Sequence, residues 1–323
     1  MNEGVTVAIP VRDGGPLLGE VLEAVRSQRL DRAVEILVAD SGSTDGSAEL
    51  ARSLGATVFH VERFSHGGTR NELMRRAAGA HVAFLTQDAV PADERWLGNL
   101  LHGFELADDV ALAYGPYRAR PGAPIAVERE LAAWFASLSP DATPRLDRAA
   151  DPSGPGHATF FTDANGAVAR AAWIEVPFRA VPYAEDQALA LDMLRAGYAK
   201  AYLPDASVIH SHDYGALAQF RRSFDEWRGL REVHGWVQPV SPVRTLLSVQ
   251  RDVRADVRSL TGRDVTLGAR AREAARSVRH WSVRAAGATL GSRADRLPPA
   301  IRRWCSLERR ESFEPSHEDD KRP

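Results

Sequence analysis

What most restricts the fold of this chain is the alternation packed into its first sixty residues. Val5-Thr6-Val7-Ala8-Ile9-Pro10-Val11 is a nearly unbroken apolar run, the pattern of a strand covered on both faces. Turn residues Asp13-Gly14-Gly15-Pro16 follow, and Leu17, Leu18, Val21, Leu22 and Val25 recur at helical spacing. Glu35 to Asp40 reads as a second strand and Thr57 to Val61 as a third. Ser43 or Thr44 can cap the helix between them, and Gly55 can end it. Three strands separated by helices over so short a span argue for right-handed β-α-β connections. The expected class is therefore α/β, a mainly parallel twisted sheet flanked by helices.

The same reading continues down the chain. His81 to Leu85 and Val110 to Tyr114 are strand patterns, with a helix marked by Trp96, Leu97, Leu100, Leu101 and Phe104 between them. Ile125 to Leu138 is helical, and Pro140 to Gly156 is expected to be a loop over the active face. Thr159 to Thr162 is expected to begin another strand region. Ser65 to Asn71 reads as a loop leading into a helix that ends at Gly79. Glu185-Asp186 opens a helix that Gly197 stops, and Ala199 to Leu203 and Ser207 to His212 are extended. Beyond Gly215 strand patterns cease. The expected domains are a catalytic domain over 1–215, a C-terminal helical extension over 216–311 and a disordered tail over 312–323.

Composition narrows the function classes. A 323-residue chain that is 44% hydrophobic can bury a full core without staples. A formal net charge of −2 gives no reason to expect a nucleic-acid partner. The charge is uneven: Arg251 to Glu311 holds 15 Arg against 7 Asp and Glu, a net of +8, so the rest carries −10. Cys305 is the only cysteine, which rules out an intrachain disulfide and fits a reducing compartment. The strand pattern beginning at Val5 leaves no room for a signal peptide, and no apolar run approaches the ~20 residues of a membrane span. The expected location is cytoplasmic. Phosphate-loop, HExxH and CxxC patterns are missing, and Thr44 stands where a nucleophile elbow would need Ser.

Four polar clusters follow apolar runs, where open α/β sheets bind ligands: Thr86-Gln87-Asp88, Asp40-Ser41-Gly42-Ser43, Glu185-Asp186 and His210-Ser211-His212. Asp88, in Thr86-Gln87-Asp88, can hold a divalent cation or be a helix-capping Asp before Pro91. Asp40-Ser41-Gly42-Ser43 can read a base or ribose, or form an N-cap turn. Gly67-Gly68-Thr69-Arg70 offers backbone N–H groups and a guanidinium to a phosphate, or is only a tight turn. Glu185-Asp186 can supply a general base, or answer the helix dipole. His210 and His212 share a strand face by period two and can ligate metal or bind phosphate.

In this order the clusters resemble the family 2 glycosyltransferases of GT-A fold, over roughly Val5 to Tyr214. Val7-Ala8-Ile9-Pro10 is similar to the opening strand. Val38-Ala39-Asp40-Ser41-Gly42-Ser43-Thr44-Asp45 is similar to V-D-D-G-S-T-D, with Ser41 replacing an Asp. Phe84-Leu85-Thr86-Gln87-Asp88 is similar to F-L-D-x-D, with Thr86 replacing the first Asp. Glu185-Asp186 matches the E-D of the catalytic base. His66-Gly67-Gly68-Thr69-Arg70-Asn71 and Thr86-Gln87-Asp88-Ala89 resemble the bacterial rhamnosyltransferase-like branch.

The resemblance implies transfer of a sugar, rhamnose in that branch, from a nucleoside diphosphate sugar to a hydroxyl acceptor with inversion, in surface polysaccharide or glycolipid synthesis. It implies Asp186 and Glu185 as the catalytic pair. It implies Pro10, Arg12, Asp40, Ser41, Ser43, Gly68, Arg70 and Gln87 around the donor, and a Mg2+ or Mn2+ ion on Asp88 with His210 or His212. The acceptor is a carbohydrate or a lipid-linked one. Two other readings stand beside this: a catalytically silent scaffold of the same fold, to which Thr86 lends weight, and a sugar-phosphate nucleotidyltransferase, for which Arg12-Asp13-Gly14-Gly15 is too poor in basic residues. The Arg-rich segment Ser241 to Glu311 is expected either to pack on the catalytic domain or a second subunit, forming a homodimer, or to touch an anionic membrane surface through its last helix, Pro298 to Arg310.

Overall fold

A computed structural model describes residues 4–148 and 157–308. In chain order the elements are β1 (Val5–Val11), α1 (Gly15–Arg26), β2 (Val34–Asp40), α2 (Ser47–Ser53), β3 (Thr57–His60), α3 (His66–Arg76), β4 (His81–Leu85), β5 (Val90–Pro91), α4 (Trp96–Leu101), β6 (Val110–Tyr114), β7 (Tyr117–Arg118), α5 (Ile125–Leu138), β8 (Arg145–Asp147), β9 (Asn165–Ala169), α6 (Arg170–Glu175), α7 (Glu185–Arg195), β10 (Ala199–Tyr202), β11 (Val208–Ile209), α8 (Ala216–His234), α9 (Pro242–Ser259), α10 (Leu267–Gly291) and α11 (Pro299–Cys305). They gather into two compact units. One holds the described residues of 1–118, 134–180 and 185–210, the other those of 119–133, 181–184 and 211–323.

The first unit is built on an eight-stranded sheet in the order β3-β2-β1-β4-β9-β6-β10-β8. β1, β2, β3 and β4 run parallel, as their apolar runs require, and β9 runs antiparallel between β4 and β6. The reversal matters for function. It brings the N-terminal end of β9 to the edge where β1, β2, β4 and β6 end, with Asn165 opposite Leu85. Val7, Ile9, Leu18, Leu22, Leu85 and Trp96 are fully buried in the core on one side of the sheet. Each such side chain contributes roughly 1.5–3 kcal/mol of burial. A three-stranded sheet, β5-β11-β7, places Val90 opposite Ile209.

Several expectations change. Ser43 and Thr44 do not cap α2, whose N-cap is Gly46; both are engaged by the β1–α1 loop instead. Ser65 to Asn71 is not a loop: Ser65 is the N-cap of α3 and Gly67-Gly68 form its first turn. The stretch after Pro140 contains β8, which pairs antiparallel with β10, and its last residues lie outside those described. The strand expected at Thr159 begins only at Asn165, after a turn. β11 ends at Ile209, so His210 and His212 share no strand face. Phe104 falls in a 3-10 turn after α4.

The second unit is helical. Gly291 lets α10 lie against α8, because a Cβ there would stand 2.2 Å from the Phe224 carbonyl oxygen. Asp256 of α9, fully buried, accepts hydrogen bonds from Ser277 Oγ (2.6 Å) and Trp281 Nε1 (2.8 Å) and pairs with Arg129. Trp281, half-buried, thus ties α10 to α9 through its indole N–H. α11 ends at Cys305, which is buried with Phe224 and Ala294. Arg309, Arg310 and the tail over 312–323 lie outside the described residues.

Candidate active site

The ends of β1, β2 and β4 are laced together by side chains. Val11 lies opposite Asp40 in the parallel register. Asp40 is buried and accepts from the backbone N–H groups of Gly42 and Ser43, each at 3.2 Å, so it shapes the turn that follows it. Ser43 Oγ accepts from Asp13 N (2.9 Å), Asp13 Oδ1 from Thr44 N (2.8 Å), and Asp45 Oδ2 from Gly15 N (2.9 Å). Gln87 Oε1 accepts from Arg12 N (2.8 Å) while its Nε2 donates to Arg12 O (3.1 Å), one more ladder step between β4 and β1. Pro10 and Gln87 are half-buried at this edge and the Arg12 side chain is exposed. Ser41 Oγ and Thr86 Oγ1, where the resembled family carries Asp, are buried and have no hydrogen-bond partner among the described residues.

The His66-to-Asn71 motif acts on the protein itself. Ser65 Oγ accepts from Gly68 N (3.1 Å), which occupies one of the donors expected to face a phosphate. Gly67 is required by packing, since a Cβ there would stand 2.1 Å from the Arg179 carbonyl oxygen. Asn71 Oδ1 accepts from Phe178 N (3.0 Å) and Trp173 Nε1 (2.9 Å), and its Nδ2 donates to Phe178 O (3.0 Å). The motif therefore fastens the segment that leads to α7. Ala184, just before α7, has a φ of 64°, a strained value for alanine.

Arg70 is 4% exposed and pairs with two carboxylates rather than projecting from the fold. Its Nε meets Asp163, and its Nη1 lies 3.0 Å from Glu185 Oε1. His66 Nδ1 is 3.7 Å from the same Glu185 oxygen. Burial, then the charges of Asp163 and Glu185, push the Asp186 carboxyl well above the usual carboxylate range. Burial raises Asp163 to about 7. Burial also opposes ionisation of Glu185, but Arg70 and His66 outweigh it and hold that carboxyl low.

Asp163 was not a sequence candidate. It looks like part of a turn, and nothing near it in sequence announces Arg70 as its partner. Asn165 was missed for the same reason. It is fully buried, accepts from Trp96 Nε1 (2.8 Å) and donates to the carbonyls of Ala206 (2.8 Å) and Pro116 (3.2 Å).

The small sheet explains how Asp88 meets His210. Asp88 lies two residues before β5, His210 directly follows β11, and the strands pair. Asp88 Oδ1 is 3.5 Å from His210 Nδ1, and the His210 backbone N–H donates to Arg118 O (2.9 Å). The Tyr117 ring stands edge-on to His210, with centroids 5.0 Å apart. A carboxylate oxygen beside an imidazole nitrogen is a donor set that suits a divalent cation. His212 lies two residues on, in the other unit, stacked on Tyr214 with centroids 4.9 Å apart.

The ligand side of the fold thus carries a laced polar turn, a carboxylate–imidazole pair and an acidic cluster in which Asp163 and Asp186 have raised proton affinity. The family model for glycosyl transferase family 2 matches residues 6–163. The chain is 31% identical over 229 residues to the O-antigen chain rhamnosyltransferase RfbN of Salmonella typhimurium, covering 68% of this chain and 70% of that protein. It is 26% identical over 227 residues to the O-antigen chain rhamnosyltransferase WbaN of Salmonella anatum, with the same coverage. Among solved structures, the mannosyltransferase PcManGT of Pyrobaculum calidifontis, in complex with GDP-Man and Mn2+, superposes with a TM-score of 0.59 at 18% identity, over 90% of this chain and 86% of that one. The fold is GT-A, as the sequence resemblance implies.

Proposed function

Because the chain belongs to glycosyl transferase family 2, we propose that it transfers a sugar from a nucleoside diphosphate donor to a hydroxyl acceptor with inversion at the anomeric carbon. The O-antigen relatives favour rhamnose as the sugar and a surface polysaccharide or its lipid-linked precursor as the acceptor. The observation that carries the reading is Asp186: a carboxylate at the start of α7, at the ligand edge of the sheet, whose surroundings raise its affinity for a proton.

Asp186 takes the proton of the acceptor hydroxyl as that oxygen attacks the anomeric carbon. The bond from sugar to acceptor forms on the face opposite the diphosphate, and the bond to the diphosphate breaks. Glu185 remains ionised against Arg70 and fixes the first turn of α7. Asp40, with Ser41 and Ser43, holds base or ribose. Pro10, Arg12 and Gln87 frame the same edge, while Gly68 sits in the capped first turn of α3 and Arg70 acts from that helix through the acidic cluster. A divalent cation on Asp88 and His210 would supply positive charge to the departing diphosphate.

Peripheral attachment to an anionic membrane is part of the proposal. No described helix is long and apolar enough to cross a membrane. Yet Val243, Leu246 and Leu247 of α9 and Ile301 and Trp304 of α11 are exposed, with Arg244, Arg302 and Arg303 beside them in sequence. A panel of nucleoside diphosphate sugars, a rhamnose donor among them, tests the activity with Mg2+ or Mn2+ present. One donor should release its nucleoside diphosphate well above background. A silent scaffold releases none from any donor.

A further inference from the structure

Three carboxylates, Asp163, Glu185 and Asp186, share a small volume with one guanidinium and one imidazole. Arg70 and His66 come from α3, Glu185 and Asp186 from the first turn of α7, and Asp163 from the turn that enters β9. Asp163 and Glu185 are each 5% exposed. With every acid ionised and His66 neutral, the cluster would hold a net charge of −2, with Arg70, Asp163 and Glu185 buried and Asp186 and His66 half-buried. An unbalanced buried charge is costly enough that such groups keep a proton instead.

The ion pairs decide which carboxylate is left over. Arg70 is committed to Asp163 through Nε and to Glu185 through Nη1. Among the described residues Asp186 makes neither pair, and its Oδ1 accepts from the backbone N–H of Gln187 at 2.7 Å. We propose that Asp163 is a positioning residue for the proton acceptor: by sharing Arg70 with Glu185 and adding its own negative field, it makes Asp186 the carboxylate that binds a proton most readily. The inference rests on Asp186 being the base. It gives the His66-to-Asn71 motif a role through the acceptor's proton rather than through the donor's phosphates.

Asp163→Asn keeps the shape and removes the charge. The limb of the kcat/KM profile that falls with decreasing pH reports the base in the free enzyme. In Asp163→Asn that limb should move to lower pH by about one unit, a tenfold weaker proton affinity. Carboxyl 13C NMR of Asp186 should show the same displacement without turnover, which separates it from titration of His66. Asp163→Ser should behave alike, and serves if the Asn variant folds poorly. An unmoved limb and an unmoved Asp186 resonance in a variant with a native melt overturn the inference, provided Asp186→Asn is inactive. If Asp186→Asn instead turns over normally, the base assignment itself is wrong and the inference falls with it.

Discussion

Replacing Arg70 by Met tests the acidic cluster through stability alone. The guanidinium is 4% exposed and faces Asp163 and Glu185, so the substitution leaves buried carboxylates without their counter-charge. Breaking a buried pair by removing one partner costs ~3–5 kcal/mol. For a unit of this size that corresponds to a fall in Tm on the order of 10 °C.

The loss should depend on pH, with a definite sign. Arg70 depresses the Glu185 carboxyl, so that group's contribution exists above its unfolded pKa of about 4.3 and vanishes as pH falls through the lower folded value. Asp163 and Asp186 are raised, so they act oppositely: stability drains away as pH climbs from their unfolded value of about 3.9 through the folded one. For Asp163 the folded value is about 7. In Arg70→Met all three carboxyls are raised, and the deficit against wild type should widen from pH 5 to pH 8. Denaturant melts at the two pH values measure it. A deficit that is flat across that range, or below ~1 kcal/mol, contradicts the buried ion-pair account.

Three further outcomes are expected. Excess chelator should abolish donor turnover, and Asp88→Ala should do the same without lowering Tm by more than a few degrees; activity that survives chelation removes the cation from the scheme. Asn165→Ala orphans Trp96 Nε1 and the buried Ala206 carbonyl, so at ~1–3 kcal/mol for a stranded group the variant should lose a few kcal/mol in a denaturant melt, and a loss under ~1 kcal/mol would show that water replaces the amide. The protein should sediment with anionic vesicles at low salt and release at high salt. Leu246→Ser with Leu247→Ser, and Trp304→Ser, each at a side chain 58–59% exposed, should weaken this. Point changes are preferable to truncation after Leu297, which would uncover the site that Cys305 fills beside Phe224. Equal sedimentation by all variants would mark these helices as packing or oligomerisation elements.

The amino-acid sequence alone determined the parts of this protein whose cause is local. The spans Val5–Val11, His81–Leu85, Val110–Tyr114 and Ile125–Leu138 coincide with the patterns that announced them, because a doubly covered strand needs a continuous apolar run and a helix a repeating face. Asp40, Asp88, Asp186 and His210 were visible because each ends an apolar run or opens a helix. The tertiary structure decided the rest. β8 is three residues long, two of them charged, and exists as a strand only beside β10, where Asp147 meets buried Lys200. Gly67 and Gly68 read as backbone donors for a phosphate or a tight turn; in the fold Ser65 caps the helix there and the Arg179 carbonyl fills the space above Gly67. Residues 119–133 and 181–184 group with the C-terminal helices, which no linear boundary would suggest. Arg70, Asp163 and Glu185 are far apart in the chain, and a buried charge leaves no periodic trace along it. Its partners are chosen by which element ends the fold brings to one sheet edge, and the antiparallel insertion of β9 brings Asp163 there.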